Sequence, residues 1–219
     1  MTTIVEEDAP PVTAIHSRRG RWIAGALAAI LLLGIGYAAG FFTPTLREPG
    51  TNSPEAGFAR DMSTHHLQAV GMSMLEVEHG SNPDVIELAY SIATTQQAQF
   101  GMMSVWLQDW HLLPTGTNKP MSWMPDGQTQ LTNGLMPGMA TTQQVDELTQ
   151  ARGNASDVLF CQLMLRHHLG GIHMVEGILA LTHNSQVRTL AESMLAGQQG
   201  EVQTLQNLLK TLGAQPLSS

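Results

Sequence analysis

The sequence predicts an all-α protein, with one apolar helix near the N-terminus followed by a four-helix bundle built from a duplicated helical hairpin. Three observations carry this. Residues 22–42, WIAGALAAILLLGIGYAAGFF, contain no charge. The stretch beginning at Phe58 returns at Phe160 with a constant offset of 102 residues. In both copies the core-type positions recur in alternating steps of four and three, the period of a helix seam. Composition agrees. Aromatic residues make up only 5 % of the chain while Met occurs 13 times, which suits soft helical cores better than a β-sandwich.

Taken in order, residues 1–21 form a short cytoplasmic tail that turns basic at Arg18, Arg19 and Arg21. Residues 22–42 follow as a transmembrane anchor, since an uncharged helix of that length spans a hydrocarbon core of about 30 Å. The arginines ahead of it place the N-terminus inside and everything after Thr43 outside the cytoplasm. The chain is therefore expected to be a single-pass, extracytoplasmic membrane protein. A cleaved signal peptide is the rival reading, but Ala38-Ala39-Gly40 is a poor cleavage site. Ser17-Arg18-Arg19 matches a twin-arginine signal only over a short stretch. Residues 43–57, rich in Pro, Gly, Thr and Ser, read as a linker. From Thr43 on there are 15 acidic residues against 7 basic ones, and the whole chain carries a net charge of −8, which argues against nucleic acid as a partner. Cys161 is alone, so no internal disulfide supports the fold.

The bundle is expected over 58–212, with repeat one at 58–111, a connection at 112–156 and repeat two at 157–212. Phe58, Met62, His65-His66-Leu67 and Met72 meet Phe160, Met164, His167-His168-Leu169 and Met174. The register persists to Gln96-Gln97 and Gln198-Gln199, which marks a duplication. The first helix of repeat one runs its seam through Phe58, Met62, His65, Ala69, Met72, Glu76 and His79. The second uses Ala89, Ile92, Gln96, Gln99, Met103, Trp106 and Trp110. Their copies are Phe160, Met164, His167, Gly171, Met174, Ile178, Leu181 and Ala191, Met194, Gln198, Glu201, Leu205, Leu208, Leu212. Gly80-Ser81-Asn82-Pro83 and His183-Asn184-Ser185 supply the turns. The connection is rich in Pro, Gly and Met, with a short helix expected at Thr142–Ala151. It is long enough to run the length of the bundle, as the crossover of ferritin-like folds does.

The seams hold polar groups that a plain bundle avoids. His65, His167, Gln96, Gln99, Gln198 and Glu201 lie on them, with His66 and His168 alongside. Burying such a group without a partner costs roughly 1–3 kcal/mol, so this layer needs mutual hydrogen bonds or an ion. Imidazole is the commonest metal ligand and thioether selects Cu(I). Met62 and Met72, with their copies Met164 and Met174, share a face with the histidines. Successive helix positions diverge by about 100°, so one His of each pair should face the seam while the other flanks it, toward a neighbouring helix or solvent. The competing reading is a hydrogen-bonded polar network with Met as core filler.

Other candidates carry less. Met121, Met124, Met136 and Met139 form two M-x-x-M pairs of Cu(I) thioether type. Glu76-x-x-His79 has di-iron spacing, but its copy falls at Ile178 and Leu181, which argues against a di-iron oxidase. His79 stays as a single candidate ligand. Cys161 aligns with Ala59 and reads as a small buried apolar residue, with a ligand role left open.

The pattern resembles the bacterial family called Domain of Unknown Function 305. The resemblance rests on Met62-x-x-His65-His66-x-x-Ala69-Val70-x-Met72, Gln96-x-x-Gln99, Met136-Pro137-Gly138-Met139-Ala140-Thr141, Met164-x-x-His167-His168-x-x-Gly171-x-x-Met174 and Gln198-x-x-Glu201. It implies a ferritin-like fold, a secreted or membrane-anchored bacterial protein and, for several members, copper. The sequence departs from the family at Gln99, where Glu is usual, and at Gly171, where Ala is usual. The lost carboxylate leaves His and Met as the main donors. The functional expectation is thus an extracytoplasmic copper-binding, buffering or delivery protein. A structural or interaction bundle without metal is the alternative, and a metal-dependent oxidase comes third.

Overall fold

The computed structural model describes residues 18–217 and divides into two compact units, Met1–Glu48 and Pro49–Ser219. The first is the helix α1, Arg18–Arg47. Its described side chains are uncharged and exposed through the apolar stretch, among them Trp22, Leu27, Leu32, Leu33 and Tyr37. Among the described residues no helix is long and apolar enough to cross a membrane. The side chains described without a break, 22–38, cover roughly 26 Å at 1.5 Å per residue, short of a hydrocarbon core of about 30 Å. The side chains at 39, 41 and 42, which would complete the expected anchor, lie outside the described ones, as does the expected tail up to residue 17.

The second unit is all-helical. It contains α2 (Pro54–His79), α3 (Pro83–Asp109), α4 (Thr142–Gln150), α5 (Asn154–Leu181) and α6 (Ser185–Thr211), with a 3-10 turn at Gly127–Gln130. The four long helices are those expected from the repeat, and α4 matches the short helix expected in the connection. The first boundary shifts. Linker character was expected to residue 57, but α2 begins at Pro54, because the Ser53 side chain accepts from Ala56 N–H and Pro54 occupies the first turn. Likewise α5 starts at Asn154 rather than 157, behind Gly153 at φ +58°, ψ −140°, a backbone state that suits glycine. The duplication extends to the caps. Asn82 accepts from Asp84 and Val85 N–H, and Asn184 from Gln186 and Val187 N–H.

α2 packs on α3 and α5 on α6, and the two hairpins join mainly through α2 against α5. That central pair is antiparallel. At one end Ser156 Oγ donates to Glu76 (2.6 Å), and at the other Thr182 Oγ1 donates to Glu55 (2.8 Å). Midway the rings of His65 and His167 meet with centroids 3.8 Å apart. These two residues are copies of one another at the repeat offset. The hairpins are therefore related by a pseudo-two-fold axis between these two imidazoles, the arrangement of an isologous dimer fused into one chain.

The connection breaks this symmetry. It must carry the chain from the end of α3 to the start of α5, at the opposite end of the bundle, and it runs as a strap over the α2–α5 groove. Asp61 accepts from Met121 N–H (2.6 Å) and Trp123 Nε1–H (2.8 Å). Further along, Gln68 clamps Ala140 through both its amide groups (2.8 and 2.9 Å), and Gly153 N–H donates to the His79 carbonyl (2.8 Å). Gly138, at φ +78°, and Gly170 let strap and helix touch backbone to backbone. A Cβ at Gly170 would strike the Pro137 carbonyl, and one at Gly138 the Arg166 carbonyl.

Candidate metal centre

The core consists of two apolar clusters separated by a polar layer. One contains Met62, Met103, Met174 and Met194 with Met121 and Met136 of the strap. The other contains Met72 and Met164 with Ile92, Phe160 and Leu163. Between them lie His65, His66, Gln96, Gln99, His167, His168 and Gln198, all under 10 % exposed, with Glu201 at the rim. The histidines and glutamines thus share one layer, with Met62 and Met174 in the apolar cluster on one side of it and Met72 and Met164 in the cluster on the other. Of the two directions open to the flanking His66 and His168, both take the neighbouring helix: each is fully buried and bonds within its own hairpin, to Gln99 on α3 and Glu201 on α6.

The hydrogen bonds set the tautomers. An amide oxygen, a carboxylate or a carbonyl can only accept. His66 Nε2–H therefore donates to Gln99 Oε1 (2.8 Å), and its copy His168 Nε2–H to Glu201 Oε2 (2.7 Å). Each ring is left with a bare Nδ1 lone pair, and both Nδ1 atoms are buried without a protein partner. His65 Nε2–H donates to the Pro137 carbonyl (3.1 Å), and His167 Nε2 is buried without a partner. Burial is the main force holding His65, His66 and His167 neutral. It brings His65 down to about 3, aided by the charge His66 would carry, and His66 to about 4 against the opposing bond to Gln99. His167 lies well below its ordinary value, from burial first and the charge His65 would carry next. His65, His66 and His167 are thus neutral nitrogen donors, and the layer's ring orientations are fixed from behind by Gln99, Glu201 and the strap, as metal-ligating histidines are held.

This donor set fits a soft ion of low coordination. The layer's one carboxylate, Glu201, is engaged by His168, which leaves only the neutral amide oxygens of Gln96 and Gln198 as oxygen donors for a hard cation. Among the described residues no group of three or more His, Cys, Asp or Glu side chains converges on one point. Two imidazoles at most can meet one ion, and thioethers must supply the rest. Gly171 is the space that Gln198 fills, since a Cβ there would press on the Gln198 amide oxygen.

The weaker candidates fall elsewhere. His79 closes the far end of α2, where its Nδ1 meets Arg152 Nη1 (3.1 Å). Cys161 is buried among apolar side chains, and burial together with the charges of Glu76 and Asp157 pushes its thiol up to about 12, so it stays protonated. Met121 and Met136 are buried in the first apolar cluster, while Met124 and Met139 are half-buried at its edge. Sequence reasoning missed the strap as a cover and the Pro137 carbonyl as a partner of His65. The Pro-Gly pair at 137–138 was the available signal, since glycine marks close backbone approach.

Fold and site together define a class: a helical bundle with a buried histidine–methionine layer beneath a long connecting strap. The chain belongs to the family described as Domain of unknown function (DUF305), whose model matches residues 55–209. A DUF305 protein from Streptomyces coelicolor, designated a secreted protein, is 38 % identical and superposes with a TM-score of 0.72, over 78 % of this chain and 100 % of that one. A DUF305 fragment from Deinococcus radiodurans is 27 % identical, with a TM-score of 0.62 over 74 % of this chain and 99 % of that one. CopM in its Cu(I)-bound form shares the fold at 18 % identity and a TM-score of 0.57, over 73 % of this chain and 96 % of that one. No curated protein matches the chain.

Proposed function

We propose that this protein binds copper outside the cytoplasm, as Cu(I), and buffers or delivers it. The observation that carries the reading is the pair of buried Nδ1 atoms on His66 and His168, each freed by a hydrogen bond at Nε2 and lying between methionine-rich clusters. His65, His167, Met62, Met72, Met164 and Met174 complete the donor pool. The likeness to CopM, whose structures include Cu(I)-, Cu(II)- and Ag-bound forms, supports the choice of ion. The secreted designation of the Streptomyces relative supports the location. Residues 22–42 would serve as the membrane anchor, a reading that rests on the arginines before them and the exposed apolar side chains of α1. The long connection between the hairpins accords with a ferritin-like bundle.

The second reading is a bundle whose polar layer only sets helix register. It is favoured by the close approach of the His65 and His167 rings, tilted by 35° with centroids 3.8 Å apart, and by the lack, among the described residues, of three converging His, Cys, Asp or Glu side chains. Replacing His65, His66, His167 and His168 together by Gln in the full chain separates the two. On the copper reading the variant loses stoichiometric Cu(I) binding in a competition titration, while wild type melts higher with copper. The stabilisation is about 2.7 kcal/mol at a free ion concentration of 100 times Kd. Copper that neither binds stoichiometrically nor raises the wild-type melting temperature refutes the reading. Unaltered stoichiometry in the variant moves the site to Met121, Met124, Met136 and Met139.

A further inference from the structure

Arg166 is the residue before the His167-His168 pair, and its counterpart in the first repeat is the exposed Thr64. The arginine is specific to the side of the bundle that the strap covers. Its guanidinium makes two contacts there, with Nη2 donating to Gln144 Oε1 (2.7 Å) and, more weakly, to the Met139 carbonyl (3.4 Å). Its Nε–H is buried without a partner. Among the described residues no carboxylate lies within ion-pairing distance of it. A half-buried, permanently charged group facing only neutral acceptors is a standing electrostatic demand.

The guanidinium lines a cavity of about 260 Å³ between strap and α5. The rest of the wall is built to match. Asn133 and Gly134 sit at φ +53° and +80° in a two-residue turn closed by Thr132 and Leu135, whose backbones bond each other reciprocally (both 3.0 Å). This is the left-handed geometry that Asn-Gly favours, and it fixes Asn133 and Thr132 at the cavity edge. Thr141 and Gln144, the capping box of the nine-residue α4, line the cavity as well, and each side chain already accepts from the other's backbone N–H. Met136 and Met139 also line it, but a cation on their sulfurs would confront the guanidinium.

We propose that this cavity is a binding site for a small oxyanion of carboxylate, phosphate or sulfate type, held by the Arg166 guanidinium with the side chains of Asn133 and Thr132. At about 260 Å³ it has the volume of some nine waters at about 30 Å³ each, enough for phosphate or a short dicarboxylate and too small for a nucleotide. The inference is independent of copper.

The test uses the full-length, metal-free chain at constant ionic strength, titrated calorimetrically with acetate, succinate, phosphate and sulfate in separate arms. The arms identify which anion is taken. One-to-one saturable binding of at least one is expected. Arg166→Gln should weaken it by roughly tenfold or more, the scale of a lost charge-assisted hydrogen bond, and Arg166→Lys by less. Asn133→Gly keeps the turn while removing the side chain, and should also weaken binding; it decides the matter if Arg166→Gln does not fold. Absence of saturation by any anion at about 10 mM, where even a weak site of millimolar Kd would fill, overturns the proposal. So does binding that is unaltered in Arg166→Lys and Asn133→Gly.

Discussion

Glu76 offers the most direct test of how the two hairpins are locked. Its carboxyl is fully buried on the seam of α2, accepts from Ser156 Oγ (2.6 Å) and lies beside Asp157 on α5. Burial pushes it from its ordinary value of 4.5 up to about 8, and the neighbouring Asp157 charge adds to the push. The folded protein therefore keeps this proton over a range in which the unfolded chain has released it. The stabilisation is full below pH 4.5 and is lost as pH rises to and through about 8. Between pH 6 and 8 the slope approaches about 1.4 kcal/mol per pH unit, so the loss is about 2 kcal/mol. Asp157 is shifted the other way, by the hydrogen bonds it receives, and titrates far below this window. Glu76→Gln keeps the shape and an acceptor for Ser156 but has nothing to titrate. For a unit of this size about 2 kcal/mol corresponds to roughly 4–8 °C in Tm. Wild type should lose that much more than the variant when melted at pH 8 instead of pH 6, followed by circular dichroism at 222 nm. Parallel Tm profiles for the two proteins would refute the argument, since every other titrating group is common to both.

Three further outcomes follow from the same geometry. Asp157→Ala removes the buried acceptor of Ser81 N–H, Ser81 Oγ–H and Asn82 N–H at the α2–α3 turn; chemical denaturation should show a loss of about 1–3 kcal/mol. Gly170→Ala drives a methyl group into the Pro137 carbonyl. It should destabilise by roughly 1–3 kcal/mol and expose the strap to limited proteolysis, whereas Gly200→Ala, in open space, should do neither. The neutral histidines act at the acid side. Their folded values lie below the unfolded value near 6.5, so the metal-free protein keeps their contribution above that pH and loses it as pH falls. The slope is up to about 1.4 kcal/mol per pH unit for each of His65, His66 and His167. The fourfold Gln variant should be markedly flatter between pH 6.5 and 4.5, and an equal slope would contradict the burial argument.

Much of this was readable in the chain. The constant offset and the steps of four and three place four helices and their seams, because helix periodicity is a local property that burial on one face imposes on the sequence. The caps at Asn82 and Asn184 and the box at Thr141–Gln144 are equally local, since each joins residues two or three apart. The short helix expected at Thr142–Ala151 lies within a residue of α4, and the His and Met positions of the two repeats were expected to share a helix face.

Spacing could not decide which nitrogen each histidine leaves bare. That depends on Gln99 and Glu201, which lie on the neighbouring helices, and on a carbonyl of the strap. Nor could it place Arg166 over a cavity or bring Glu76 against Asp157, a pair far apart in the chain. Residue order by itself determined the helices, their duplication and the kind of donor available. The tertiary structure decided which donors face one another, which are silenced by a hydrogen bond and which groups lose their water, because tautomer and protonation follow from neighbours that only packing supplies.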